Sequence, residues 1–265
     1  MSAESPECCN KILSRFDTVH DDLVEIKPKK ELNIFSKPLP INNTAVLMGF
    51  PGSGLVGTNA LQYMVDQLEF ELIGTMTSKF FPPLAMMNKG VINDPVRIYI
   101  KNDVAAVVAD IPIHPMICYE IANGLLDWLT PFKPKEVLTI AGIITNEPEK
   151  RVFGVATTMD ALPRIQEHTL ILPIGSISGI ASSILTECKI RGIPGYGLLG
   201  ETVNAPDPRS SAATIEVLNK MYNLELDVKP LIEQALEIEQ SMGKIAEEVQ
   251  QSAEQSPKKD LPMYG

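Results

Sequence analysis

Basic residues are scarce in this chain. Lys and Arg number 23 against 33 Asp and Glu, a formal charge of −10. Nucleic acid and anionic membrane surfaces both require a basic face, so neither is expected as a partner. Long apolar runs are missing as well, and none approaches the ~18–20 residues of a membrane span. The opening Met1-Ser2-Ala3-Glu4-Ser5-Pro6-Glu7 has neither the basic nor the apolar region of a signal peptide. Cysteine is limited to Cys8, Cys9, Cys118 and Cys188, with no C-x-x-C pair. That pattern suits neither a disulfide framework nor a zinc knuckle, and it points to a reducing, cytoplasmic setting. His20, His114 and His168 lie far apart, without H-x-x-x-H or H-E-x-x-H spacing, so no metal and no other cofactor is expected. There is no internal repeat of solenoid period.

What is present is the makeup of a folded domain. Hydrophobic residues are 45% and charged residues 21% of 265, enough to bury a full core. Residues 1–20 are weakly patterned, and Leu23, Val24 and Ile26 suggest a short edge strand. An apolar run, Thr44 to Met48, predicts a buried strand, and Thr58 to Leu68 predicts a helix from its apolar spacing. Glu71 to Met76 is a further strand, and Phe80-Phe81-Pro82-Pro83 breaks regular structure. Val96 to Lys101 and Val104 to Asp110, joined at Asn102-Asp103, predict an antiparallel hairpin. A helix over Met116 to Leu129 and a strand over Glu136 to Ile144 follow. Val152 to Thr157 is open between a strand and a long connection. Thr169 to Ile174 reads as a strand, Ile180 to Arg191 as a helix and Tyr196 to Leu199 as the last strand. Asp207-Pro208 caps a helix that ends near Tyr222. Strands alternating with helices imply an α/β core over residues 21–228, with a layered, mixed, largely parallel sheet flanked by helices.

Two glycine turns carry the possible chemistry. In the first, Gly49-Phe50-Pro51-Gly52-Ser53-Gly54-Leu55-Val56-Gly57, the segment from Gly52 spells G-x-G-x-x-G between a strand and a helix. Gly52, Ser53, Gly54 and Gly57 are therefore a possible nucleotide or phosphate turn. The acid expected ~20 residues on, at the end of the next strand, is absent: Thr75-Met76-Thr77-Ser78-Lys79 stands there. Close packing of helix on strand explains the glycines better. The second turn, Gly175-Ser176-Ile177-Ser178-Gly179, places Ile177 where a nucleophile elbow needs Ser. Asp110, Asn146, Glu147, Ser176 and Glu201 fall at or beyond strand ends, where ligands of α/β proteins bind.

Beyond the core, residues 229–250 predict a C-terminal helix. Leu231, Ala235, Ile238, Met242, Ile245 and Val249 recur at heptad a/d spacing, a seam that suits either the helix's own domain or another copy in a homo-oligomer. Residues 251–265 are polar, as expected of a flexible tail, yet end in Leu261-Pro262-Met263-Tyr264-Gly265. With 6 Tyr in 265 residues and 45% hydrophobic content, a hydrophobic-Tyr-any ending arises by chance in about one sequence in a hundred. Its chemistry is coherent: an aromatic anchor fills a pocket and a free carboxylate pairs with a lysine.

Several blocks resemble the archaeal branch of the type 2 proteasome assembly chaperone family. They are the first glycine turn, Ala109-Asp110-Ile111-Pro112, Ala141-Gly142-Ile143, and Gly192-Ile193-Pro194-Gly195-Tyr196-Gly197-Leu198-Leu199-Gly200-Glu201-Thr202 leading to Pro206-Asp207-Pro208-Arg209. The resemblance spans about residues 42–240. It implies a non-enzymatic homo-oligomer that presents C-terminal tails to proteasome α-subunits and helps the α-ring assemble. On that resemblance Met263 meets an apolar groove, Tyr264 anchors and the Gly265 carboxylate pairs with an α-subunit lysine. The alternatives are an ATP-independent gate activator that uses the same tail, and a nucleotide- or phosphate-binding enzyme that uses the Gly52–Gly57 turn.

Overall fold

The computed structural model describes residues 32–254 except 146, 148 and 204, and of 242–254 the backbone alone. The expectations for residues 1–20, for the strand near Leu23 to Ile26, and for Met263, Tyr264 and Gly265 lie outside the described residues.

Ala45–Gly49 (β2), buried at every position, is the central strand of a nine-stranded sheet. Val104–Ala109 (β7) flanks it on one side and Glu136–Ile144 (β8) on the other, both parallel to it. Gly195–Thr202 (β11) lies parallel outside β8. These runs are almost wholly apolar because helices cover both faces of the sheet. Val96–Lys101 (β6), Glu71–Ser78 (β3) and Leu32–Ser36 (β1) continue one side by successive antiparallel pairings. Val152–Ala156 (β9) pairs antiparallel with β11, and the two-residue Leu170–Ile171 (β10) closes the far edge. A separate hairpin of Met87–Asn88 (β4) and Val91–Ile92 (β5) stands off the sheet. The result is the layered α/β architecture with a mixed sheet that the sequence implies.

Side chains alternate across the pleat. Leu47, Leu138 and Leu198 meet Val56–Gln67 (α1) and Pro208–Tyr222 (α5) on one face. Val46, Met48 and Val107 meet Cys118–Leu129 (α2) and Gly179–Arg191 (α4) on the other. Leu162–Gln166 (α3) and the base of Lys229–Glu254 (α6) join the first of these layers through Ile165 and Leu231.

Several elements differ from expectation. The strand read over Thr169 to Ile174 shrinks to β10, because Pro173 and the second glycine turn take the chain away from the edge. The last strand is twice as long as Tyr196 to Leu199, since Gly200, Glu201 and Thr202 remain paired to β8. Val152 to Ala156 is a strand. The C-terminal helix runs to Glu254 rather than 250. Its seam faces its own domain at the base: Leu231 and Ala235 are buried, and Ile238 is half-buried. The side chains of Met242, Ile245 and Val249 lie outside the described residues.

Candidate functional site

The carboxyl ends of β7, β2, β8 and β11 point the same way, and both glycine turns sit at that end. They border one cleft of about 240 Å³, lined among others by Phe50, Gly52, Ser53, Gly142, Ser176 and Gly179. None of its lining residues carries a charge. The cleft lies where the chain leaves β2 toward one side of the sheet and returns through α2 to the other, the position at which α/β sheets commonly hold ligands.

The glycines of the first turn serve packing. A Cβ on Gly57 would lie 2.3 Å from the Ile140 carbonyl oxygen, and one on Gly49 would lie 2.4 Å from the Gly57 carbonyl oxygen. Gly54 has φ +64°, and a Cβ there would lie 2.0 Å from Thr202 Oγ1. The space a dinucleotide turn reserves for pyrophosphate at its second glycine is thus filled at Gly54 by Thr202, while Gly57 packs helix on strand as the third glycine of such a turn also does. Only Gly52 is open, where a Cβ would meet nothing closer than the Phe50 carbonyl oxygen at 4.0 Å.

The same contacts explain why the first and last blocks of the sequence occur together. Thr202 Oγ1, against Gly54, donates to Asp207 Oδ2 at 3.1 Å. The Asp207 N–H donates to the Gly54 carbonyl at 3.0 Å, and the Asp207 carboxylate caps α5 by accepting from Ser210 N at 3.2 Å. Lys150 Nζ completes the group 3.4 Å from Asp207. Gly54, Thr202 and Asp207 are therefore one interlock that joins the β2–α1 turn to the β11–α5 turn.

The strand-end acids are occupied in the same structural manner. Arg97 grips Asp110 with both terminal guanidinium nitrogens, and also donates to Gln62 Oε1 at 2.9 Å and, through Nε, to Tyr99 Oη at 2.8 Å. Arg151 donates to Glu201 Oε2 at 2.8 Å and Oε1 at 2.7 Å, which holds the buried Glu201 carboxyl below its ordinary range. Ser176 lines the cleft, Glu147 is exposed, and Asn146 lies outside the described residues. Among the described residues, Asp110 and Glu201 are held by arginines and are not brought together with Ser176 as an acid, base and nucleophile. Burial raises both core thiols, Cys188 to about 12 and Cys118 in the same direction.

Sequence reasoning missed the feature that most alters the surface of this end. The β3–β6 and β6–β7 pairings are both antiparallel, so β3 runs with the central strands. The segment from the end of β3 to the start of β6 therefore belongs to the carboxyl end. Within it, every residue from Pro83 to Ile92 is exposed. Leu84, Met86, Met87, Val91 and Ile92 present 44–70% of their surface to solvent. A signal was present: two apolar pairs flank Lys89-Gly90, and both of those residues have positive φ, the hairpin-turn conformation. Met116, Ile144, Ile174 and Val203 are exposed at the same end. Nine of the eighteen large apolar side chains exposed among the described residues thus lie at one end of the molecule.

The C-terminal helix leads to this end as well. α5 starts at the carboxyl end, and α6 returns along it. Arg209, in the first turn of α5, holds Glu239 of α6 at 2.8 and 2.9 Å. From Glu239 the helix continues through 15 more residues to Glu254. At 1.5 Å per residue that is about 22 Å. No helix among the described residues is long and apolar enough to cross a membrane.

Comparisons with known proteins agree with this architecture. An uncharacterized protein of Methanocaldococcus jannaschii is 32% identical over 227 residues, covering 85% of this chain and 94% of that one. Pyrococcus furiosus PbaA, described as an archaeal homolog of proteasome-assembly chaperone, superposes with a TM-score of 0.76 at 32% identity, over 85% of this chain and 95% of PbaA. Pyrococcus furiosus PbaB, described as an archaeal proteasome activator, gives 0.73 at 26% identity, over 82% of this chain and 99% of PbaB. The family model matches residues 46–246, and the chain belongs to the PAC2 family.

Proposed function

We propose that this protein is a non-enzymatic, cytoplasmic proteasome assembly chaperone. In this reading it acts as a homo-oligomer and docks its C-terminal tail on proteasome α-subunits to promote assembly of the α-ring. The observation that carries the reading is the pairing of a PAC2 domain similar to PbaA with the terminal Met263-Tyr264-Gly265. Met263 supplies apolar contact, Tyr264 the anchor, and Gly265 the carboxylate for a lysine. Residues 255–265 number 11 and, fully extended, reach on the order of 36 Å beyond Glu254. Several tails on one oligomer raise avidity well above that of one tripeptide. The Thr202 side chain against Gly54 weighs against the nucleotide-binding alternative.

The similarity to PbaB favours a second reading, an ATP-independent activator that opens the gate of the finished particle with the same tail. One experiment separates the two. Archaeal α-subunits are allowed to assemble with and without the protein, and ring formation is followed by native gel. Assembled core particles are assayed in parallel for peptide hydrolysis. Faster ring formation with unchanged hydrolysis supports the chaperone. Unchanged ring formation with faster hydrolysis supports the activator and contradicts the chaperone.

A further inference from the structure

The Pro83–Ile92 arm is out of keeping with the rest of the molecule. Isolated two-stranded hairpins are marginal in water, and among the described residues this one pairs with no other strand and is exposed throughout. Its five large apolar side chains face solvent, and its only charged residue, Lys89, is basic in a chain of net charge −10. Two of the five are methionines, whose flexible thioethers adapt to irregular partner surfaces. The arm, Met116, Ile144, Ile174 and Val203 share the end of the molecule toward which α6 runs.

From this placement we infer that the apolar carboxyl end of the sheet, with the Pro83–Ile92 arm at its centre, is a second docking surface for the same protein partner that takes the C-terminal tail. The arm's chemistry specifies what it meets: an apolar groove with a carboxylate within reach of Lys89. The direction of α6 and the 11 residues beyond Glu254 select this occupant over another copy of the chain. Two copies docked end to end would close off the end toward which α6 of each runs. A partner seated on this end meets the arm and the tail together, so the arm fixes orientation while the tail adds affinity through effective concentration.

The inference rests on the tail-docking reading, and its test keeps the two apart. Immobilised archaeal proteasome α-subunits are titrated with the full chain, with a Met87→Asp/Ile92→Asp variant, with a milder Val91→Ser/Ile92→Ser variant, and with a peptide ending in Met263-Tyr264-Gly265. The size and melting midpoint of each protein are recorded alongside. The expected result is weakening of about tenfold or more for the Asp variant and a smaller loss for the Ser variant, with size and melting midpoint unchanged. The peptide alone is expected to bind more weakly than the full chain. Equal binding by wild type and both arm variants overturns the inference and leaves tail docking intact. Weaker binding that accompanies a smaller oligomer assigns the arm to self-association and also overturns it. Failure of the full chain to bind at all removes the tail reading itself.

Discussion

Gly57 and Gly52 look alike in the sequence and differ in the structure. An alanine methyl at 57 meets the Ile140 backbone at 2.3 Å, where nothing flexible can give way. Overpacking of this kind costs about 3 kcal/mol, which exceeds the ~1 kcal/mol that alanine gains over glycine in a helix. Gly57→Ala is therefore expected to lower stability by about 2 kcal/mol in urea titration, whereas Gly52→Ala stays within ~0.5 kcal/mol of wild type. Equal effects would contradict the packing role assigned to the turn. The sequence favoured packing because no acid follows the second strand, but it could not reveal that Thr202 fills Gly54. That contact spans 148 positions and depends on two turns meeting. Asp110 and Glu201 were legible as strand-end acids. The predicted hairpin already sets Arg97 beside Asp110, but the Arg151 partner of Glu201 was not legible, because it depends on the β9–β11 pairing that only the sheet order defines.

Among the elements, the strongly periodic and fully buried ones were readable. β2, β7, β8, α1, α2 and α5 all carry enough apolar pattern or capping chemistry to be seen locally. β1 and the arm were missed for a shared reason: neither is a buried apolar run. β1 is half-exposed at a sheet edge, and the arm exposes its apolar side chains, so the usual link from hydrophobicity to burial fails there. The C-terminal helix shows how a heptad pattern can have two explanations. At its base the heptad residues serve the helix's own domain, while Ile232 and Leu236, one position on, face solvent. Leu231→Ala is expected to cost about 2–4 kcal/mol of unfolding free energy and Leu236→Ala less than ~0.5 kcal/mol, both by urea titration. The reverse order would mean that the helix base is turned the other way. A change in oligomer size with Leu236→Ala, measured by light scattering, would place self-association on the outward stripe instead of the heptad seam.

At the scale of the whole molecule, the structural interlock and the exposed apolar surface gather at one end of the fold. One interlock joins the glycine turn, the last strand and α5. The same end carries the uncharged cleft, the apolar arm and the outgoing helix. In the function proposed above, the last three residues carry the protein to its partner. This is tested by measuring the affinity of archaeal proteasome α-subunits for the full chain and for a chain ending at Pro262, with the melting midpoint of both recorded. The expected result is binding by the full chain, loss of that binding on truncation, and the same melting midpoint for both. Undiminished binding by the shortened chain would contradict it.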